Sequence, residues 1–107
     1  MFRQDYIKRV IQQVGELVAA VRKKQAEARY TEAQQLLEQA YGRLGLGRGF
    51  LTLAPDSIAL LIPDTERLEA IAALSELEAQ LHESLGKPEL ARLCRKRAEH
   101  LRNRKRR

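Results

Sequence analysis

The sequence predicts an all-α protein of two antiparallel helical hairpins, joined by a loop that carries one short helix. Three observations support this prediction. Apolar residues recur at three- and four-residue steps in four long segments, as they do along one face of an amphipathic helix. All three prolines and most glycines lie at the ends of these segments or between them. The one stretch that could form a strand, residues 50–54, would have no partner strand elsewhere in the chain.

The first hairpin is predicted from one long apolar stripe and one helix-start motif. The first helix covers about residues 3–27, and one of its faces is apolar. The members of this face are Tyr6, Ile7, Val10, Ile11, Val14, Leu17, Val18 and Val21. The second helix runs from Thr31 to about Arg43, because Thr31 and Gln34 have the spacing of a capping box. Glycines from Gly45 onward permit the left-handed backbone that ends a helix.

The connection between the hairpins is predicted as a loop over residues 45–56, followed by a short helix. Asp56 or Ser57 can cap this helix through side-chain oxygens, and Pro63 prevents its continuation.

The second hairpin is predicted over about residues 65–85 and 88–103. Asp64 is the expected N-cap of the third long helix, whose apolar face continues through six positions. These are Leu68, Ile71, Leu74, Leu77, Leu81 and Leu85. Gly86 lies where a helix terminator belongs, and Pro88 suits the first position of the last helix. The apolar stripe of that helix is predicted as Leu90, Leu93, Cys94, Ala98 and Leu101.

The chain of 107 residues is long enough for one domain, predicted over 1–103 and followed by a basic tail at 104–107. Its net charge of +6 is the sum of three unlike segments. Residues 1–30 carry +4, residues 31–86 carry −6 and residues 87–107 carry +8. Basic and acidic helices can therefore pack side by side, and the C-terminal cations can also attract an external anion.

Several classes of protein are not favoured by this composition. With one cysteine, Cys94, the chain can form no intramolecular disulfide and no multi-thiolate metal site. Cys94 and His100 are six residues apart and share a helix face poorly, so we expect no metal and no cofactor. The longest near-apolar stretch is too short to cross a bilayer and the N-terminus does not resemble a signal peptide, which predicts a cytoplasmic protein.

No enzyme signature is present, and the protein is predicted not to be an enzyme. Cys94 lies in an apolar stripe, which favours core packing over a role as nucleophile. The glycines after residue 44 lack the preceding strand and the Gly-Lys-Ser/Thr ending of a phosphate-binding loop. The third helix carries five glutamates that are expected on its solvated face rather than in a pocket. These are Glu66, Glu69, Glu76, Glu78 and Glu83.

The two hairpins resemble each other at an offset of 58 residues. Ala33 then corresponds to Ala91, and Ala40 to Ala98, each pair following a tight turn. Small residues seven positions apart let one helix lie close against the helix before it, as in helical repeats.

The segment Arg29-Tyr30-Thr31-Glu32-Ala33, followed by Leu37 and Ala40, resembles the turn and second helix of a tetratricopeptide repeat. The opening Met1-Phe2-Arg3-Gln4-Asp5-Tyr6-Ile7 is similar to the start of a family of small uncharacterised bacterial proteins with tetratricopeptide-like folds. The repeat family implies binding of peptides or proteins rather than catalysis. The Trp, Leu and Gly of the first repeat helix are absent, and the spacer between the hairpins is long for a tandem array.

The function predicted from these features is a non-catalytic adaptor or scaffold that binds another protein or associates with itself. Phe50 and Leu51, two apolar residues between turn-forming residues, are its candidate interaction residues. The alternative is a small basic protein that binds the phosphate backbone of a nucleic acid through its C-terminus. Its candidate phosphate-binding residues are Arg92, Arg95, Lys96, Arg102, Arg104, Lys105, Arg106 and Arg107.

Overall fold

The computed structural model of the chain describes residues 2–47, 53–62 and 64–105, and within these ranges it contains five helices and no strand. The helices are α1 (Phe2–Ala26), α2 (Tyr30–Arg43), α3 (Pro55–Leu61), α4 (Thr65–Ser84) and α5 (Pro88–Lys105). The all-α prediction is confirmed. The four long helices agree with the predicted ranges to within two residues at every end, and residues 50–52 lie outside the described residues.

The helices are arranged as two hairpins that share one core. Helix α1 packs mainly against α2, and α4 packs mainly against α5. Helices α1 and α2 both contact α4, whereas the short helix α3 lies against α5. Helix α4 is therefore covered from several sides, and it supplies the largest share of buried residues.

The four alanines that relate the two hairpins are all buried at helix contacts. Ala33 and Ala40 of α2, and Ala91 and Ala98 of α5, have at most 1% of their surface exposed. Because an alanine side chain is a single methyl group, it lets the second helix of each hairpin approach its neighbour closely. The alanines that are related by the offset of 58 residues are therefore packed in the same way in both hairpins.

One predicted member of the α1 stripe is exposed. Tyr6 has 63% of its surface accessible, whereas Val10, Val14 and Val21 of the same face are buried. Helix α1 has 25 residues and α2 only 14, so an antiparallel hairpin leaves the first turns of α1 without α2 beside them.

The capping box predicted at Thr31 is not formed. Helix α2 begins one residue earlier, and Arg29 occupies the N-cap position without a side-chain capping bond. The turn is held instead by Glu32, whose carboxylate pairs with Arg29 at 2.6 Å and with Lys24 at 3.1 Å. A carboxylate in the first turn also interacts favourably with the positive end of the helix.

The short helix begins before the residues that were expected to cap it. Its first residue is Pro55, and Ala54 is the N-cap in an extended conformation, so Asp56 and Ser57 lie in the first turn. Proline has a backbone angle already suited to a first helical position and favours an extended residue before it. Asp64 lies at the N-cap position of α4, as predicted, but its side chain makes no capping hydrogen bond and pairs with Arg67 at 2.9 Å.

Two glycines end helices with a positive φ, Gly45 at 86° and Gly86 at 75°. We expect Gly86→Ala to lower the free energy of unfolding by about 1 kcal/mol, because an L-residue is strained in this conformation even though its side chain would meet no other atom. Gly15→Ala, inside α1 and equally free of contacts, should instead raise it by about 0.5–1 kcal/mol. Urea unfolding of both variants measures the two changes in the free energy of unfolding. Equal changes of the same sign would contradict the explanation by backbone conformation.

Candidate functional site

Helix α5 buries a narrow face of small residues and leaves two leucines at the surface. Its buried residues are Ala91, Cys94, Ala98 and Leu101. Leu90 is 43% exposed and Leu93 is 62% exposed, so their predicted place in the core is wrong. Two neighbouring stripes of α5 both have helical spacing, and the one that contains Leu90 and Leu93 has the larger apolar side chains in its first turns. Packing selects the small-residue stripe, because Ala91 and Cys94 fit closely against Ala79 of α4.

The exposed leucines line a groove of about 610 Å³ between α5, α4 and the segment that leads into α3. The lining residues are of three kinds. The apolar lining residues are Leu53, Pro55, Leu90 and Leu93. The basic lining residues are Lys96, Arg97 and His100. The other three lining residues are Glu78, His82 and Cys94. We call this feature the α5 groove. Its volume is in the range of pockets that bind small molecules or a few side chains of a partner.

A network of polar side chains, which we call the polar cluster, lies beside the groove and joins α2, α4 and α5. It consists of Tyr41, Ser75, Glu78 and Arg97. The Tyr41 hydroxyl and Arg97 Nη2 each donate to Glu78 Oε1 at 2.7 Å. Arg97 also donates through Nε to Ser75 Oγ at 2.9 Å and through Nη2 to the Tyr41 oxygen at 3.1 Å.

Burial and charge in the polar cluster reinforce each other. The side chains of Arg97 and Glu78 are only 13% and 22% exposed, so their ion pair is largely removed from water. Burial, with the Glu78 carboxylate as the second cause, raises the pKa of Tyr41 above its ordinary value of 10. The hydroxyl therefore remains a donor at neutral pH, and every member of the cluster has a partner.

The sequence did not reveal this cluster. Glu78 was expected on the solvated face of its helix, and the structure shows that this expectation is wrong. Tyr41 of α2 and Arg97 of α5 pack against Ser75 and Glu78 of α4, so Ser75 is buried and the Glu78 side chain is only 22% exposed. The acidic middle and basic end of the chain predict that α4 and α5 attract each other, but they do not indicate which two residues meet inside.

A second group of side chains shares Glu78 and faces the α5 groove. Glu78, His82 and Cys94 each place one potential metal-ligand atom so that all three atoms lie within 4.8 Å of one another. His82 Nε2 is 3.4 Å from Glu78 Oε2, and Nδ1 of the same ring is buried without a hydrogen-bond partner among the described residues. Spacing along α5 relates Cys94 only to His100, and it does not indicate that Glu78 and His82 of the adjacent helix lie beside the thiol.

Cys94 is buried as expected, with 5% of its surface exposed. Burial, followed by the neighbouring Glu78 carboxylate, raises the pKa of its thiol to about 11. We expect the folded protein at pH 8 to react with a thiol reagent such as DTNB much more slowly than the chain unfolded in urea, because the thiolate is the reactive form. Equal rates in the two states would contradict the core position of Cys94 and support a nucleophilic role.

The candidate phosphate-binding residues occupy three kinds of position. Arg102 pairs with Glu69 and Glu76, and Arg95 pairs with Glu83. These contacts join α5 to α4, as the segment charges predict. Arg92 and Lys96 are exposed and form no ion pair with another residue whose side chain the structure describes. The remaining candidates, Arg106 and Arg107, lie outside the described residues, as do the side chains of Arg104 and Lys105.

The candidate interaction residues Phe50 and Leu51 also lie outside the described residues. Comparisons with protein-family models, with curated proteins and with solved structures gave no match to this chain. Among the described residues, none of the helices is sufficiently long and apolar to cross a membrane. The features of the described residues that bear on function are therefore the α5 groove, the polar cluster and the group formed by Glu78, His82 and Cys94.

Proposed function

We propose that this protein is a non-catalytic interaction module that binds an acidic amphipathic helix of a partner protein in the α5 groove. The observation that carries the proposal is the exposure of Leu90 and Leu93, which both line the α5 groove. Large apolar side chains clustered at a groove are typical of sites that bind proteins. The resemblance to tetratricopeptide repeats agrees with this class of function.

The spacing of the groove residues suits a helical ligand. Leu90 and Leu93 are one turn apart, and Lys96 and His100 continue along the same side of α5. An amphipathic helix presents apolar side chains at similar three- and four-residue steps, so its apolar face can cover both leucines at once.

The charge around the groove favours an acidic partner. Lys96 lines the groove, and the exposed Arg92 lies on the same helix. Because Lys96 and Arg92 have no ion-pair partner among the described side chains, their charge remains available to carboxylates of a ligand. A second copy of this chain is less suitable, since each copy carries a net charge of +6.

A displayed library of helical peptides with randomised surface positions tests the proposal directly. We expect the selected peptides to combine two or more apolar residues at helical spacing with acidic residues, and to bind the purified protein. Leu93→Glu should weaken binding of a selected peptide by at least about tenfold, because it removes apolar contact area and adds a repelling charge. The matched control is Leu60→Glu, at a leucine of α3 that is still more exposed (74% against 62%) and does not line the groove, and it should change binding less than twofold.

Two outcomes of this experiment would contradict the proposal. One is selection of peptides without acidic residues, and the other is equal binding by the Leu93→Glu and Leu60→Glu variants.

Duplex DNA, used as a separate probe, tests the alternative of nucleic-acid binding. Tight DNA binding at physiological salt that disappears when the four residues 104–107 are changed to Gln would favour that alternative. Removal of one cation that binds a phosphate should reduce the salt slope by about 0.9.

A further inference from the structure

We propose that Glu78, His82 and Cys94 form a binding site for one Zn²⁺ ion, with a fourth coordination position directed to the α5 groove. The site adjoins the groove, whose lining includes all three residues, but it needs no protein partner. Carboxylate, imidazole and thiolate are all ligands of zinc in proteins, and three protein ligands with an open fourth position are a recurrent arrangement.

The distances in the structure are close to those of a metal site. Two ligand atoms on one tetrahedral Zn²⁺, with bonds of about 2.0–2.1 Å, lie about 3.3–3.4 Å apart. His82 Nε2 and Glu78 Oε2 are separated by 3.4 Å, which is longer than a good hydrogen bond between such groups. All three ligand atoms lie within 4.8 Å of one another, so binding requires the Cys94 sulfur to move closer to the other two atoms.

The unsatisfied ring of His82 is a second, independent observation. Buried polar atoms are nearly always hydrogen-bonded, yet Nδ1 of His82 has no partner among the described residues, and Nε2 has only the long contact to Glu78. Nε2 therefore makes no good hydrogen bond, so its lone pair is free for a metal ion, and Nδ1 carries the ring proton when Nε2 binds.

The surroundings orient the carboxylate ligand and balance the charge. Arg97 and Tyr41 hold Glu78 Oε1 at 2.7 Å each, which leaves Oε2 pointing to the imidazole. Such outer contacts fix ligand orientation in metal sites generally. The charge of Zn²⁺ would be offset by the Glu78 carboxylate and by the Cys94 thiolate, which forms as the thiol releases its proton to water on binding. The guanidinium of Arg97, 3.9 Å from the sulfur, stabilises that thiolate.

The ligand set selects the class of metal. Ca²⁺ and Mg²⁺ prefer oxygen ligands, whereas a thiolate and an imidazole favour Zn²⁺ and chemically similar ions. The i, i+4 spacing of Glu78 and His82 places both on one face of α4, and Cys94 enters from α5. Binding would therefore join the two helices of the second hairpin.

The test is titration of the full chain with Co²⁺, which reports tetrahedral sites by visible absorption bands and thiolate ligands by a sulfur-to-cobalt charge-transfer band. We expect one equivalent of Co²⁺ to produce both signals and Zn²⁺ to abolish them by competition. Cys94→Ser should remove the charge-transfer band, and His82→Gln should weaken affinity by more than about tenfold. Each variant is first compared with the wild type in urea unfolding, so that loss of the metal can be separated from loss of the fold.

The other histidine provides a matched control. His100 pairs with Asp56 at the surface and is absent from the three-residue group. His100→Gln should therefore leave the Co²⁺ spectrum and affinity unchanged. A spectrum without a charge-transfer band in the wild type, or equal losses in His82→Gln and His100→Gln, would overturn the proposal. The peptide experiment on Leu93 is unaffected by either result, so the two proposals fail separately.

Discussion

Ala33→Glu is expected to abolish the cooperative folding of this protein. Ala33 has no accessible surface and lies on α2, which packs against α1 and α4, so a longer side chain has no room without displacing a neighbouring helix. Overpacking of this kind costs about 1–3 kcal/mol. A buried, unpaired carboxylate adds several kcal/mol more. The sum is comparable with the whole free energy of unfolding of a typical small domain, which is about 5–15 kcal/mol.

Circular dichroism during urea unfolding measures this effect. The matched control is Ala73→Glu, which makes the same substitution at an exposed alanine within helix α4. This control should unfold cooperatively near the wild-type midpoint. Ala91→Glu makes the equivalent change in the second hairpin and should be as disruptive as Ala33→Glu. A cooperative transition of Ala33→Glu at the midpoint of the Ala73→Glu control would show that this helix contact is not as close as described.

Arg97→Met is expected to lower the free energy of unfolding by about 3–5 kcal/mol. The substitution keeps an apolar chain of similar length but leaves the Glu78 carboxylate without its cation. It also removes a donor from the Ser75 and Tyr41 hydroxyls. A carboxylate that is only 22% exposed and has no cation beside it is strongly disfavoured in the folded state.

A double substitution separates the ion pair from simple packing. Arg97→Met combined with Glu78→Leu removes both charges, so we expect the double variant to be more stable than the Arg97→Met single variant. The control is Arg95→Met, which breaks the exposed pair with Glu83 on the same helix and should have a much smaller effect. Urea unfolding of the four proteins tests this order. Equal losses in Arg97→Met and Arg95→Met would mean that the polar cluster is not a buried unit.

The helices could be predicted because their signals are local. Apolar residues at helical steps, together with Gly86 and Pro88 between the last two helices, define where each helix begins and ends. The four repeated alanines also carried information about packing, because a small side chain at a regular position indicates close approach of a neighbour. The capping predictions were less accurate, since an ion pair on Glu32 and a proline at position 55 determine where α2 and α3 begin.

The candidate site depends on contacts that local patterns do not contain. Two neighbouring stripes of α5 have helical spacing, and only its packing on α4 decides that Cys94 is buried while Leu93 is exposed. Glu78 looks like any surface glutamate in the sequence, and it is largely buried because Tyr41 of α2 and Arg97 of α5 pack against it.

The sequence by itself determined the all-α class, the number of long helices, their approximate ends and the charge attraction between α4 and α5. These features follow from periodicity and composition within short stretches of chain. Only the tertiary structure decided which face of α5 is buried, which carboxylate meets Arg97, and that His82 and Cys94 lie beside each other. The physical reason is that the relative rotation of packed helices depends on side-chain volumes from both partners, and residues far apart in sequence then share one site.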